Sequence, residues 1–221
     1  MAMKGVVVDF DFAAMDGAEL LFQTTKTLLE KQGIGFDASL EARFLAGVGY
    51  LEGFTKLFKF VQTKKTPQKA ARDLETAFAG ALAKAISAYA GKAFRNFVSV
   101  LSEHGVAVVL VTRAKLDVVE PMFADLLSEN VMLWNDHFCV YGNMRGAAWR
   151  CSCAESNLNY TSALAVTGSG FGVRSALVAG MRSVAVMNDH VAWQDFSGAN
   201  VIVNDLSAKT AKKVLSVLGV E

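Results

Sequence analysis

From about residue 94 onward the chain alternates short apolar runs with helical stretches, and that alternation limits its fold more than any other feature. Runs at 106–112, 163–167, 183–187 and 200–203 are built mainly of Val, Ala, Leu and Ile and have the length of strands. Between and around them lie helical stretches at 94–104, 116–129, 150–157, 172–179 and 207–218. Adjacent parallel strands need a crossover, usually a helix, so repeated alternation specifies a doubly wound parallel sheet. A further run, Gly5 through three valines to Asp9, reads as a strand buried on both faces. The expectation is a five-stranded α/β sheet with function gathered at the carboxyl ends of its strands. Asp9 stands at one such end.

Residues 18–88 break the alternation. They contain helical stretches at 20–32, 39–46, 51–62 and 67–89 and no convincing strand. The chain therefore divides into an α/β core, 1–17 with 89–221, and an inserted all-helical cap, 18–88. The cap carries Lys56, Lys59, Lys64, Lys65, Lys69 and Arg72 among Phe54, Phe58 and Phe60. Two readings fit this pattern: a solvated lysine face on an amphipathic helix pair, or a docking surface for an anionic partner, a protein or a ribonucleoprotein.

Hydrophobic residues make up 52% of the chain and charged ones 19%, with 22 basic against 21 acidic side chains. Such a balance excludes a disordered chain and gives no general preference for nucleic acid. Cys139, Cys151 and Cys153 form no CxxC pair, which argues against a disulfide framework and against zinc. No apolar run reaches the roughly 18 residues that cross a bilayer. A start with one lysine running into acidic residues is unlike a signal peptide. The expectation is a soluble intracellular protein, cytoplasmic by default, with a processed organellar form also compatible.

Asp9 and Asp11 stand two apart at a strand end, where a period of two would point both carboxylates to one side and Phe10 to the other. Two such groups can divide phosphoryl transfer between a nucleophile and a proton donor. Acidic residues at strand ends also cap helices and bind solvent, so the pair alone leaves both roles open. The wider order of features narrows them. Residues 4–16, Lys-Gly-Val-Val-Val-Asp-Phe-Asp-Phe-Ala-Ala-Met-Asp, resemble the first motif of the haloacid dehalogenase superfamily. The likeness is to its phosphatase and β-phosphoglucomutase-like branch, which has a helical cap after the first strand. Residues 109–113, Val-Leu-Val-Thr-Arg, resemble the second motif, and residues 168–181 the fourth motif with its following helix. The resemblance implies a Rossmann-like fold with Asp9 as nucleophile, Asp11 as general acid and base, and Thr112 and Arg145 as phosphate-binding groups. It also implies magnesium held by Asp9 and Asp11.

Three departures stand out. The family usually has Gly-Thr after the second aspartate, where this chain has Phe12 and Ala13. Its third motif is a lysine followed by Pro-x-Pro, and the segment that lines up best begins at Arg145. An arginine fork does not replace a compact ammonium. Its fourth motif places acids at a strand end to hold magnesium, where Thr167 and Gly168 stand here. Magnesium sites are usually anchored by carboxylates, so binding should be weak. Asp136, Asp189 and Asp195 are the candidates to replace the lost acids, and the glycine-rich stretch from Thr167 to Gly172 could cradle an anion or simply permit close packing. His104, His137 and His190 read as ordinary loop or helix-end histidines.

The expected function is accordingly that of a haloacid-dehalogenase-like protein with a degraded magnesium and phosphate site, a non-catalytic binding or structural component such as one inside a larger assembly. The alternative is a magnesium-dependent phosphatase or phosphomutase acting on a small phosphorylated metabolite through an aspartyl-phosphate intermediate. The same residues also predict that Arg145 forks onto Asp9, and that Gly168→Asp restores magnesium affinity.

Overall fold

A computed structural model describes residues 4–89, 91–136, 141–142 and 144–220. Its first strand, β1 (Gly5–Asp9), leads into a one-turn helix, α1 (Phe10–Ala13). Four helices follow: α2 (Gly17–Glu30), the short α3 (Ala38–Leu40), α4 (Tyr50–Phe60) and α5 (Pro67–Tyr89), with a π-helical turn over Glu41–Leu45 after α3. The alternating part then runs α6 (Lys92–Glu103), β2 (Ala107–Thr112), α7 (Leu116–Phe123), β3 (Val131–Asn135), α8 (Gly146–Glu155), β4 (Leu164–Thr167), α9 (Gly170–Val178), β5 (Arg182–Val186), a 3-10 turn (Asp189–Val191), β6 (Val201–Val203) and α10 (Ala208–Leu218).

All six strands are parallel, in the order β3-β2-β1-β4-β5-β6. Gly5 pairs with Ala107 and Asp9 with Val111 on one side of β1, and Val8 with Val166 on the other. Every residue of β1 and β2 is buried, as their continuous apolar sequences require of strands covered on both faces. Alternation along β1 divides its valines. Val6 and Val8 join a core that runs without a break into the helical segment, through Phe54, Leu74 and Phe78. Val7 packs on the opposite face with Val109, Trp149 and Ala176.

The sheet has six strands rather than five. The extra one, β3, lies at the edge, and only Val131 of its five residues is fully buried. Its sequence, Val-Met-Leu-Trp-Asn, carries neither the uniform apolar run of a central strand nor a clean alternation. The helix expected over 116–129 stops at Phe123, shortly after Pro121, whose ring removes a backbone donor from its interior. The single helix expected over 39–46 is a three-residue α turn passing into the π turn.

Candidate functional site

β1, β2 and β4 are neighbours, and their carboxyl ends deliver Asp9, Thr112 and Thr167 to one edge of the sheet. Asp11 arrives differently from the expected strand alternation. The chain leaves β1 directly after Asp9 and winds into α1, and the helical turn folds Asp11 back over the strand end. Both carboxylates are fully buried. Thr112 Oγ1 donates to Asp11 Oδ1 at 2.7 Å, and the backbone N–H of Arg113 donates to Asp11 Oδ2 at 2.8 Å. The threonine hydroxyl is also an acceptor, taking the Ala114 N–H at 3.1 Å, so it bonds on both sides.

The residue that organises this edge is Arg113. Its Nη1 donates to Asp9 Oδ1 at 2.7 Å and to Asp11 Oδ2 at 3.2 Å, while Nη2 reaches Asp9 Oδ2 at 3.3 Å. The same Nη2 lies 3.3 Å from Asp136 Oδ2. Beneath it the Phe12 ring faces the guanidinium carbon at 4.8 Å. Phe12 is therefore a buried platform for a cation, packed against Phe78 of α5 with ring centres 6.1 Å apart. Asp136 joins because β3 pairs with β2: Thr112 is opposite Asn135, and the Asp136 N–H donates to Thr112 O at 2.9 Å. The Arg113 side chain is only 8% exposed, so this fork-on-carboxylate contact forms in a nearly dry setting.

The electrostatics follow from burial. Burial works against the charge on Arg113, but Asp9, Asp136 and Asp11 together hold its pKa well above the usual arginine value. Asp11 is pushed up to about 6, first by burial and then by the Asp9 charge, against the opposing pull of Arg113 and Thr112. Between the unfolded carboxyl value, about 4, and about 6 the native protein holds a proton that the unfolded chain has lost. Stability should therefore fall as pH rises through that window, by roughly 2–3 kcal/mol in all. Chemical denaturation from pH 4 to 7 measures this slope, and Asp11→Asn should flatten it; an unchanged slope in the variant would assign it to another group.

Arg145 does not take part. It is exposed, precedes α8 as its N-cap and lies beside Glu52 of α4, so the expected fork of Arg145 onto Asp9 is replaced by that of Arg113. The glycine-rich stretch is used internally. Ser169 Oγ accepts the Gly172 N–H at 2.9 Å and Gln194 Oε1 accepts the Gly170 N–H at 2.8 Å, which removes both amides from an anion cradle. A Cβ on Gly168 would sit 1.6 Å from the Phe12 carbonyl oxygen. The glycine is required because α1 leans its backbone onto the end of β4. Asp195 turns its carboxylate onto Ser197, and Asp189 opens the 3-10 turn. Cys139 and His137 lie outside the described residues.

This donor set does not fit magnesium. The carboxylates of Asp9 and Asp11 are occupied by the guanidinium, the Thr112 hydroxyl and a backbone N–H, and Phe12 carbonyl fills the space of a fourth-motif side chain. Among the described residues no group of three or more His, Cys, Asp or Glu side chains is arranged to hold a metal ion. A cavity of about 530 Å³ opens beside the cluster, between α5 and the ends of β2 and β3, lined by Arg113 and Asp136 with Tyr50, Glu75, Lys115 and Asn135.

No sequence-family model matches the chain, and no curated protein sequence does. Solved structures do. A β-phosphoglucomutase from Clostridium difficile is similar over 98% of this chain and 97% of its own, with a TM-score of 0.71 and 15% identity. CbbY from Rhodobacter sphaeroides, solved with phosphate, covers 95% of this chain and 96% of its own at TM-score 0.65 and 15% identity. A predicted phosphoglycolate phosphatase from Haemophilus somnus covers 96% and 98% at TM-score 0.62 and 13% identity. The chain thus has the haloacid-dehalogenase-like fold, over nearly all of its length, in the form found in phosphatases and β-phosphoglucomutases. Among the described residues no helix is long and apolar enough to cross a membrane.

Proposed function

We propose that this protein is a non-catalytic binding or structural member of its fold, with residues 18–88 as a cap over a phosphoryl-transfer centre closed by its own side chain. The observation that carries this reading is the double contact of Arg113 with Asp9. A nucleophilic carboxylate must present a free oxygen to phosphorus, and here both oxygens bond to one guanidinium. Phosphoryl transfer also relies on positive charge placed around the moving group. In this cluster the buried cation is already neutralised by three carboxylates.

The second reading, a phosphatase or phosphomutase acting on a small phosphorylated metabolite, draws on the fold relatives and on Asp11, whose pKa of about 6 suits proton transfer near neutrality. One experiment separates the two. The purified protein, given an aryl phosphate with magnesium, should show no turnover that depends on Asp9, and calorimetry should register no tight magnesium binding. Hydrolysis lost in Asp9→Asn would overturn the first reading in favour of the second.

A partner surface belongs to the same reading. Lys56 pairs with Glu52 and Lys69 with Asp73 along their own helices, while Lys59, Lys64 and Lys65 are exposed around the end of α4. If this face docks an anionic protein or ribonucleoprotein, Lys64→Glu with Lys65→Glu should weaken capture of that partner in a salt-dependent way.

A further inference from the structure

His190 is not an ordinary loop histidine. It sits in the 3-10 turn after β5, on the core side, and reaches two carboxylates supplied by the helical insert. Its Nδ1 is 2.8 Å from Glu19 Oε2 of α2, and its Nε2 is 3.3 Å from Glu41 Oε2 in the π turn. The imidazole lies against the Phe22 ring of α2, centre to centre 5.5 Å. Glu41 is buried and also accepts the Tyr141 hydroxyl at 2.8 Å, and the backbone beside it is tied by Gly47 N–H to Tyr141 O and Tyr141 N–H to Val48 O. Asn188, two residues before His190, donates to Asp16 Oδ1 at 3.3 Å, at the start of α2. The groups facing the imidazole are thus Glu19 and Asp16 at the first turn of α2, Glu41 on the π turn, and Tyr141 behind Glu41.

We propose that His190 is a pH-sensitive latch that fastens α2 and the π turn of the insert to the core. The two ring nitrogens face two different carboxylates. A neutral imidazole can donate to only one of them, and its other nitrogen then turns a lone pair toward carboxylate oxygen. The Nε2–Glu41 contact is already off the line of a good hydrogen bond, so its value is electrostatic and depends on the ring being charged. Protonated, the ring donates to Glu19 and carries a charge that Glu41 attracts. The surroundings favour that form: the Glu41 contact raises the His190 pKa, partial burial opposes it, and the charges of Glu41, Glu19 and Asp16 add to the rise.

The direction of the switch follows. A histidine whose pKa is raised in the folded state contributes its full stabilisation below the unfolded value, near 6.5, and loses it as pH climbs through the folded value. The latch is fastened in mild acid and loosens toward alkaline pH. Each unit between the two values corresponds to a tenfold change in the opening equilibrium. This device is independent of whether Asp9 ever attacks phosphorus.

Two measurements test it on the intact chain. In an NMR titration, the His190 ring should titrate above 6.5, and Glu19→Gln, at a half-exposed partner, should lower that value. In hydrogen exchange corrected for intrinsic rates, protection of α2 and of residues 38–46 should fall as pH rises through the titration, tenfold per unit of displacement. His190→Gln should remove this pH dependence. If His190→Gln does not fold, the Glu19→Gln shift carries the test alone. An imidazole titrating at or below 6.5, a titration unmoved by Glu19→Gln, or identical exchange profiles in wild type and His190→Gln would each overturn the proposal.

Discussion

Replacing Arg113 by alanine should cost about 3–5 kcal/mol of stability, seen as a lower denaturation midpoint. The expected loss comes less from missing attraction than from what remains: Asp9 and Asp11, fully buried, would face each other without a counter-charge. The control is Arg113→Met combined with Asp9→Asn, Asp11→Asn and Asp136→Asn, which removes charge from both sides. Replacing a whole buried ion cluster by neutral groups of similar size is often close to neutral, so the quadruple variant should recover most of what the single variant loses. A loss below about 1 kcal/mol in Arg113→Ala would place the pair in the energetic class of surface ion pairs and remove the argument that the site is closed.

Gly168→Asp, the substitution that would place at the end of β4 the acid of the haloacid dehalogenase pattern, should destabilise the protein and leave magnesium binding unimproved. The new Cβ would lie 1.6 Å from the Phe12 carbonyl oxygen and 3.0 Å from the Ala13 nitrogen, both backbone atoms that cannot swing aside. Forcing atoms into a packed core costs typically 1–3 kcal/mol, and a clash with main chain at this distance should exceed it. Gly168→Ala isolates the steric part, since it brings the Cβ without the charge. Calorimetry with magnesium and thermal unfolding of both variants decide the matter: tight metal binding in a folded Gly168→Asp protein would show that α1 can retreat. The clash also explains why two departures from the family pattern occur together. Phe12 holds α1 against the sheet by packing under Arg113 and against Phe78, and only glycine at position 168 leaves space for the backbone that this brings in.

The fold was legible where sequence and burial agree. β1 and β2 are apolar throughout because both faces are covered, and the resemblance to the haloacid dehalogenase pattern rests on the residues at their ends. It was illegible at β3, where an edge strand needs no consistent pattern. That omission had a further effect. Without β3 nothing places Asp136 beside Arg113, because the contact depends on Thr112 lying opposite Asn135. The available signal was Arg113 itself, a charge directly after an apolar strand and next to a motif hydroxyl. Which way such a side chain turns depends on the loop backbone, and here it turned inward onto the aspartates. His190 was hidden for another reason: its partners lie on α2 and the π turn, 171 and 149 residues away along the chain (190 − 19 and 190 − 41).

The place of β1 in the sheet has a consequence for how the chain reaches its fold during synthesis. Of the six strands of the sheet β1 is made first, and it is one of the two central ones, yet its neighbours begin at Ala107 and Leu164. At roughly 5–20 residues per second, about 5–20 s pass before the first partner exists, and longer before the second. Through that interval the helices of residues 17–89 can form locally, while both edges of a valine-rich strand remain open. The nascent chain is therefore most vulnerable to association at β1, whose open edges are flanked by Lys4 on one side and by Asp9 and Asp11 on the other until Arg113 emerges to meet the aspartates.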